Sequence, residues 1–130
     1  MSELALAAIY CTLMLHGATE VSHGYSVGYD LHRIRVDCET STQVIEVGLD
    51  KRSSIDSVHQ AAFAALLTGK APMVLMIDTD GREDQYEFQV RTVAQSLNIA
   101  YQVIDRDYLI RWQMTEYLRN YRAEVIQPKS

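Results

Sequence analysis

Alternating apolar and polar residues in 33–39 and again in 43–49 predict two β-strands, because successive side chains of a strand point to opposite faces. The three small polar residues of 40–42 between them are typical of a turn. An antiparallel pairing through this turn places the two polar rows on one face of the hairpin. Asp37 and Glu46 are then close neighbours.

The rest of the chain divides into helical and extended patterns. Helices are predicted over 3–16, over 53–69, over 86–97 and from residue 107 onward; further strands are predicted over 25–31, 73–77 and 99–104. The element order is therefore α-β-β-β-α-β-α-β-α. Two short apolar strands joined by a helix are typical of a parallel crossover, whereas the earlier strands form an antiparallel meander. We expect one α/β domain over 1–126, with a mixed sheet flanked by helices and a frayed tail at 127–130.

Local signals set the expected ends of these elements. Ser2 can cap the first helix, and Gly17 is expected to stop it. Residues 18–24 have the composition of a loop, and the apolar phase shifts near His32, which predicts a bulge or a tight turn there. Asp107 is expected to cap the last helix.

Composition and charge narrow the class of protein. The chain has 130 residues with 48% hydrophobic content and a net charge of −5, which is ordinary for a soluble globular domain. The acidic balance disfavours wholesale coating of nucleic acid, although a local basic groove remains compatible with it. Cys11 and Cys38 lie in apolar segments and are interpreted as buried small hydrophobes in a reducing, cytoplasmic compartment. The apolar run from Leu4 to Leu15 is too short to span a bilayer and lacks a basic flank, so no membrane partner is expected.

The predicted neighbours Asp37 and Glu46 are the main candidate for chemistry. Two facing carboxylates repel each other unless a proton or a cation separates them, and this suggests a metal site. The alternative is a solvated polar face, in which Arg33 and Arg35 neutralise the acids.

The element order, with acids on the second and third strands, resembles the PD-(D/E)XK superfamily, the restriction-endonuclease-like fold. In that family an Asp on one strand and a Glu-X-Lys on the next coordinate Mg²⁺ and orient a water for phosphodiester cleavage. Asp37 matches the family's Asp, and Glu46-Val47 matches the first two places of the second half-motif. The resemblance covers roughly residues 3–104. It implies a nuclease that uses Mg²⁺ or Mn²⁺, with Asp37 and Glu46 as metal ligands.

The sequence departs from the family motif at its lysine, whose place is taken by Gly48. A glycine can neither orient a water nor stabilise a developing charge. Lys51 is the candidate replacement and completes the predicted catalytic set, although it is out of phase with Glu46 if the strand continues that far. Arg35 shares the face of the acids but is too basic to serve as a proton-transfer base.

Further positions match the family by placement alone. Gln60 lies in the helix after the hairpin, where some members carry a Gln. Glu3 or Glu20 could match an acid found in the first helix of some members, and Glu3 is preferred because it lies on the predicted helix.

Other candidate sites have ordinary structural explanations. Asp78 and Asp80 follow an apolar strand, where α/β folds place ligands, and could hold Mg²⁺; the same D-x-D-G run is also an ordinary turn before a helix. The histidines show no metal-ligand spacing: these are His16, His23, His32 and His59.

Two functions remain open from the sequence. One is a metal-dependent nuclease, or an inactive remnant of one, for which nucleic acid is the expected partner. The other is a non-enzymatic homo-oligomeric domain that works through protein contacts. The second is suggested by the all-round apolar first helix, the tyrosine-rich last helix and the negative net charge.

Overall fold

Five strands form one mixed sheet whose spatial order is the same as their order along the chain. The computed structural model describes residues 1–126, apart from the side chains of Arg52, Ser53 and 122–126; the predicted tail at 127–130 lies outside the described residues. The strands are β1 (Ala18–Val27), β2 (Asp30–Glu39), β3 (Gln43–Leu49), β4 (Ala71–Asp78) and β5 (Ala100–Asp105). β1, β2 and β3 form an antiparallel meander, and β3, β4 and β5 run parallel.

Helices cover both faces of this sheet. They are α1 (Glu3–Ala8), which continues as a π-helix over Ile9–Met14, then α2 (Asp56–Thr68), α3 (Gln85–Ser96), α4 (Arg106–Met114) and α5 (Glu116–Ile126). A 3₁₀ turn, Arg52–Ile55, leads into α2. The described residues therefore form the single α/β domain with a mixed sheet that the sequence predicts, in the predicted order.

Two apolar layers hold the sheet between its helices. On one face, α1, the π-helix and α4 pack on the odd-numbered residues of β3 and β4; this layer includes Leu6, Ile9, Tyr10, Ile45, Val47, Leu75, Ile77 and Leu109. On the other face, α2 and α3 pack on even-numbered residues of β4, with Val58, Ala61, Val90 and Ala94 against Val74 and Met76. β3 and β4 are thus buried on both faces, which explains the unbroken apolar run of β4, whereas the edge strand β5 is largely exposed.

The first helix belongs to this core rather than to a free surface. Ser2 caps it as predicted, because its Oγ accepts a hydrogen bond from the N–H of Ala5 at 3.1 Å. Leu6, Ile9 and Tyr10 are all buried against the sheet of the same chain. The all-round apolar pattern therefore reflects a helix packed inside its own domain.

The edge strand is where the sequence prediction is wrong. Residues 18–24 belong to β1 and are not a loop, and the chain turns at Gly28 and Tyr29 rather than at His32. Gly28 has φ +60°, a value that favours glycine in a tight hairpin turn. β1 lies at the sheet edge and is exposed over much of its length, so it lacks the apolar alternation that would have marked it.

Helix ends differ from the prediction in two places. The helix after the hairpin is entered through the 3₁₀ turn instead of through a capping box at Ser53. The last helix is capped by Asp105, whose side chain accepts from the N–H of Asp107, and it is divided into α4 and α5 near Thr115. Gly69 ends α2 with φ +71°, as predicted.

Cys11 and Cys38 are both fully buried, as predicted, and they are joined to each other in a disulfide. The bond connects the π-helix to β2, and Gly17 packs closely against it: a Cβ at Gly17 would lie 3.0 Å from the Cys11 sulfur. The disulfide corrects the interpretation of the two cysteines as separate small hydrophobes. Because disulfides are rare in reducing compartments, it gives no support to the predicted cytoplasmic location, which stays a prediction. No helix within residues 1–126 has the length and apolar character needed to cross a bilayer.

Candidate active site

The β2–β3 hairpin brings Asp37 and Glu46 together, as the sequence predicts. The last paired residues are Glu39 with Val44 and Cys38 with Ile45, so Asp37 and Glu46 are the next positions in the same register. Regular pairing stops there, and the two strands separate. Their carboxyl groups lie within hydrogen-bonding reach of each other at this point of separation.

Asp37 is held in place by the backbone of the neighbouring strand. Its Oδ2 accepts a hydrogen bond from the N–H of Val47 at 2.8 Å. In a regular ladder this N–H would pair with a main-chain carbonyl, so the side chain of Asp37 replaces the missing ladder bond. The separation of the strands therefore fixes the position of the carboxylate.

Glu46 is a buried acid with an incomplete set of partners. The residue is 2% exposed, and its Oε1 has no hydrogen-bond partner. Burial, together with the side-chain hydrogen bond and the negative charge of Asp37, raises the pKa of Glu46 to about 9, against a smaller opposing effect of the Asp37 backbone. At neutral pH the carboxyl of Glu46 is therefore protonated. This burial is incompatible with the solvated-face interpretation at Glu46.

An open cavity of about 650 Å³ lies beside Asp37, between α1 and the strands β1 to β3; Glu46 is buried behind Asp37 and is not among the residues that line it. Glu3, Glu20 and Asp37 line it, so two of its three acids come from the positions suggested for the first-helix acid. Glu20 is engaged with Arg35, whose Nη1 lies 2.9 Å from its Oε1. Glu3 has no such partner among the described side chains, which favours it over Glu20 as the third acid.

Lys51 lies near enough to Glu3 for its charge to act on that acid. β3 ends at Leu49, and the chain turns directly after it, because the N–H of Lys51 donates to the Leu49 carbonyl at 2.7 Å. Lys51 is therefore not part of the strand, and the alternation of β3 does not decide which way its side chain points. Burial raises the pKa of Glu3, the charge of Asp37 raises it further, and the positive charge of Lys51 lowers it. Glu3 is therefore the acid on which the charges of Asp37 and Lys51 both act.

Three other positions that the resemblance brought into view have no part in the site. Gly48 has no room for a side chain, because a Cβ there would lie 2.9 Å from the Cβ of Ser54. Gln60 is exposed on α2, which packs on the sheet face opposite α1, and it does not line the cavity. Arg35 is exposed and bonded to Glu20.

Asp37 and Glu46, with Glu3 nearby, are the residues that could hold a cation here. Their oxygen ligands suit Mg²⁺ or Mn²⁺, which prefer carboxylates. The unpartnered Oε1 of Glu46 is the structural feature that fits such a group, because a buried polar atom without a partner is costly. A cation would replace the proton that Glu46 otherwise holds.

The histidines do not form a metal site in the described part of the chain. His23 contacts Glu39 at 2.6 Å, and Lys70 lies 3.2 Å from the other carboxylate oxygen. His32 stacks on the ring of Tyr25.

Two further acids, which the sequence pattern did not predict, lie next to the two acids of the D-x-D-G run. Asp78 and Asp80 lie with Asp50 and Glu87 in one cluster. Glu87 could have been found from its spacing, since it lies three residues before Val90 and seven before Ala94, on the buried side of α3. Asp50 carried no comparable signal, because only the pairing of β3 with β4 brings it there.

Comparisons with protein-family models, with curated proteins and with solved structures find no match to this chain. Its function must therefore be argued from the geometry of the site.

Proposed function

We propose that this chain is a metal-dependent nuclease domain resembling the restriction-endonuclease-like superfamily, or a descendant that keeps the metal site without cleaving. Asp37 and Glu46 are the metal ligands in this proposal, Glu3 is a third acid, and Lys51 replaces the lysine missing at Gly48. The observation that carries the proposal is the buried carboxyl of Glu46, which faces Asp37 and leaves Oε1 without a partner.

The arrangement is costly unless it binds something. Burying an acid beside a second carboxylate destabilises the fold, and a cation would offset both the lost hydration and the repulsion. An ordinary structural acid has its oxygens bonded to N–H groups or to a basic side chain. Asp37 has such a bond to Val47, whereas Oε1 of Glu46 has none.

The chain's own residues have distinct roles in phosphodiester hydrolysis. When bound, Mg²⁺ or Mn²⁺ supplies Lewis-acid polarisation of a phosphoryl oxygen and a more acidic water. Asp37 and Glu46 fix its position, and Val47 holds Asp37 through its N–H. Lys51, whose charge acts on Glu3, offsets negative charge on the phosphate. The cavity beside Asp37 is the expected entry for the substrate.

Cleavage assays on the full chain test the proposal. Supercoiled DNA, linear duplex, single strands and RNA are incubated with Mg²⁺ or Mn²⁺, using wild type and the variants Asp37→Asn, Glu46→Gln and Lys51→Met. We expect each variant to lose at least about a hundredfold in rate, the loss typical of removing one electrostatic stabiliser of a transition state. Asp107→Asn removes an exposed acid on α4 and should leave the rate unchanged.

Metal binding and cleavage are measured separately so that a remnant can be recognised. A wild type that binds Mn²⁺ through Asp37 and Glu46 but cleaves no substrate is a non-catalytic descendant. A wild type that neither binds nor cleaves contradicts the proposal. Cleavage that survives Glu46→Gln would also contradict it, because the activity would then come from another site or from a contaminant.

A second candidate function is a homo-oligomeric interaction domain. α4 and α5 expose apolar side chains that the domain itself leaves uncovered: Met114, Tyr117, Leu118 and Tyr121 are each at least half exposed. This surface fits a second copy of the chain, and three of these residues, Met114, Tyr117 and Tyr121, lie at the spacing of one helix face. Sedimentation at micromolar concentration should then show a dimer that Tyr117→Glu dissociates, whereas a clean wild-type monomer would contradict it.

A further inference from the structure

A second acidic cluster lies at the carboxyl ends of two parallel strands. Asp50 follows β3, and Asp78 is the last residue of β4; the pairing of Leu49 with Ile77 places the two acids side by side. Asp80 comes from the turn after β4, and Glu87 comes from α3. One carboxylate oxygen of each of the four lies within 4.8 Å of the others.

The turn after β4 holds three of these acids in fixed positions. Thr79 donates to Asp50 from its N–H at 2.9 Å, and its hydroxyl donates to the same carboxylate, whose two oxygens lie 2.8 and 2.7 Å from Oγ1. Asp78 accepts from the N–H groups of Asp80 and Gly81. Asp80 accepts from the N–H of Arg82 at 2.9 Å. Asp50 is therefore bonded at both of its carboxylate oxygens and Asp78 and Asp80 at one each, and these bonds hold the three acids close together.

Glu87 is the observation that distinguishes this cluster from an ordinary acidic turn. It is 2% exposed, and its Oε1 has no hydrogen-bond partner. An acid on a solvent-facing position would extend into water, whereas Glu87 is buried at the start of α3 beside three other carboxylates. Burial and the surrounding acids Asp78, Asp84, Asp50 and Asp80 raise the pKa of Glu87 to about 7.

No basic side chain neutralises the cluster within the described residues. The described ion pairs nearest in sequence use other acids, for example Arg91 with Glu83 at 2.7 Å. Like charges placed opposite each other on neighbouring strands destabilise a sheet. The fold therefore concentrates negative charge at one point without a described counter-charge.

We propose that Asp50, Asp78, Asp80 and Glu87 form a binding site for a hard divalent cation, Ca²⁺ or Mg²⁺. All four ligands are carboxylate oxygens, which these cations prefer over softer metals. The site lies apart from the Asp37–Glu46 pair and does not depend on the proposed nuclease function. A bound cation joins the ends of β3 and β4 to α3 and removes the repulsion among the four acids.

Titration calorimetry with CaCl₂ and with MgCl₂ tests this site on the full chain. The double variant Asp37→Asn/Glu46→Gln serves as the background, so that any binding at the first site is absent. We expect this background to bind one cation. Adding Glu87→Gln or Asp80→Asn should weaken the affinity at least about tenfold, as perturbing a metal site typically does. Asn at 80 can still accept the hydrogen bond from the N–H of Arg82, so the turn is preserved.

Glu83→Gln is the matched control, because Glu83 lies in the same segment but bonds to Arg91. It should leave the affinity within about twofold. Denaturation in EDTA checks folding, and there Glu87→Gln should be at least as stable as the background, since it removes a repelled charge. Absence of binding up to about 10 mM, above the range of the weakest protein Ca²⁺ sites, would overturn the proposal. Unchanged affinity in both Glu87→Gln and Asp80→Asn would overturn it as well.

Discussion

The carboxylate of Asp37 accepts a hydrogen bond from the main-chain N–H of Val47, 2.8 Å away on the neighbouring strand. This contact gives Asp37 a structural role in addition to its proposed role as a metal ligand. Val47 is buried at the point where β2 and β3 separate, and its N–H is bonded to the carboxylate of Asp37 instead of to a main-chain carbonyl of β2. The two roles can be separated by comparing two substitutions.

Asp37→Ala should lower the free energy of unfolding by about 1–3 kcal/mol, because it leaves a buried N–H without an acceptor. Asp37→Asn keeps an oxygen that can accept the same bond and removes the charge facing Glu46. It should therefore cost less than the Ala variant in urea denaturation without metal. Equal destabilisation by both variants would contradict the structural role of the Val47 contact.

Gly48 is predicted to exclude every larger residue, including the lysine of the family motif. A Cβ at this position would lie 2.9 Å from the Cβ of Ser54 and 3.2 Å from the Oγ of Ser57. We expect Gly48→Ala to lower the free energy of unfolding by about 1–3 kcal/mol through overpacking, and Gly48→Lys to lower it further. Thermal and urea denaturation provide the measurement.

Gly24→Ala is the matched control in the same sheet. The nearest atom to a Cβ at Gly24 is 3.8 Å away, and the backbone there is ordinary for a strand. This variant should be neutral or slightly stabilising, because an alanine loses less backbone entropy on folding than a glycine. A Gly48→Ala variant as stable as Gly24→Ala would show that β3 and the following turn can separate.

The pairing of Asp37 with Glu46 could be predicted because it depends on local signals. Both strands show clear alternation, and the turn between them is only three residues long, so the register follows from the sequence. The burial of Glu46 was not predicted, because the alternation of β3 places Glu46 in its polar row with Gly48 and Asp50. What the pattern could not show is that α2 packs over its neighbours Val44 and Gly48.

The second cluster and the disulfide depend on contacts between distant segments. Asp50 and Glu87 meet only after β3 has paired with β4 and α3 has packed on the sheet. Cys11 and Cys38 are 27 residues apart in different elements, and nothing in their local sequence distinguishes a pair from two buried thiols. The change from α- to π-helix at Ile9 likewise has no signal in the apolar pattern.

Reduction of the disulfide should destabilise the chain. The Cys11–Cys38 bond closes a loop over a sequence separation of 27 residues. Chain-entropy arguments give about 3–4 kcal/mol of stabilisation for a loop of this length. Urea denaturation of wild type with and without reductant should show this loss, whereas the double variant Cys11→Ala/Cys38→Ala should not respond to reductant. Two reactive thiols in denatured, unreduced wild type would contradict the pairing.

Glu46 should make the stability of the protein fall as the pH rises. Its pKa is about 9 in the folded chain and 4.5 in the absence of burial, so between these values the folded state holds one proton more than the unfolded state. Below pH 4.5 Glu46 is protonated in both states, and the free energy of unfolding does not depend on its titration. Between pH 4.5 and about 9 the free energy of unfolding falls as the pH rises, by up to about 1.4 kcal/mol per pH unit. Glu87 contributes in the same direction up to about pH 7.

Urea denaturation in EDTA at pH 7 and pH 8.5 is compared between wild type and Glu46→Gln. The difference between them isolates Glu46, because Glu87, with a pKa of about 7, titrates in both proteins. Wild type should lose more stability across this interval than Glu46→Gln, which cannot release a proton. Mn²⁺ should reverse part of the wild-type loss at the higher pH. A metal ligand must be deprotonated, so Mn²⁺ competes with the proton of Glu46, and this competition is weaker at pH 8.5 than at pH 7. An equal loss of unfolding free energy in wild type and Glu46→Gln would mean that Glu46 is already ionised in the folded chain at pH 7. It would then hold no proton against the carboxylate of Asp37.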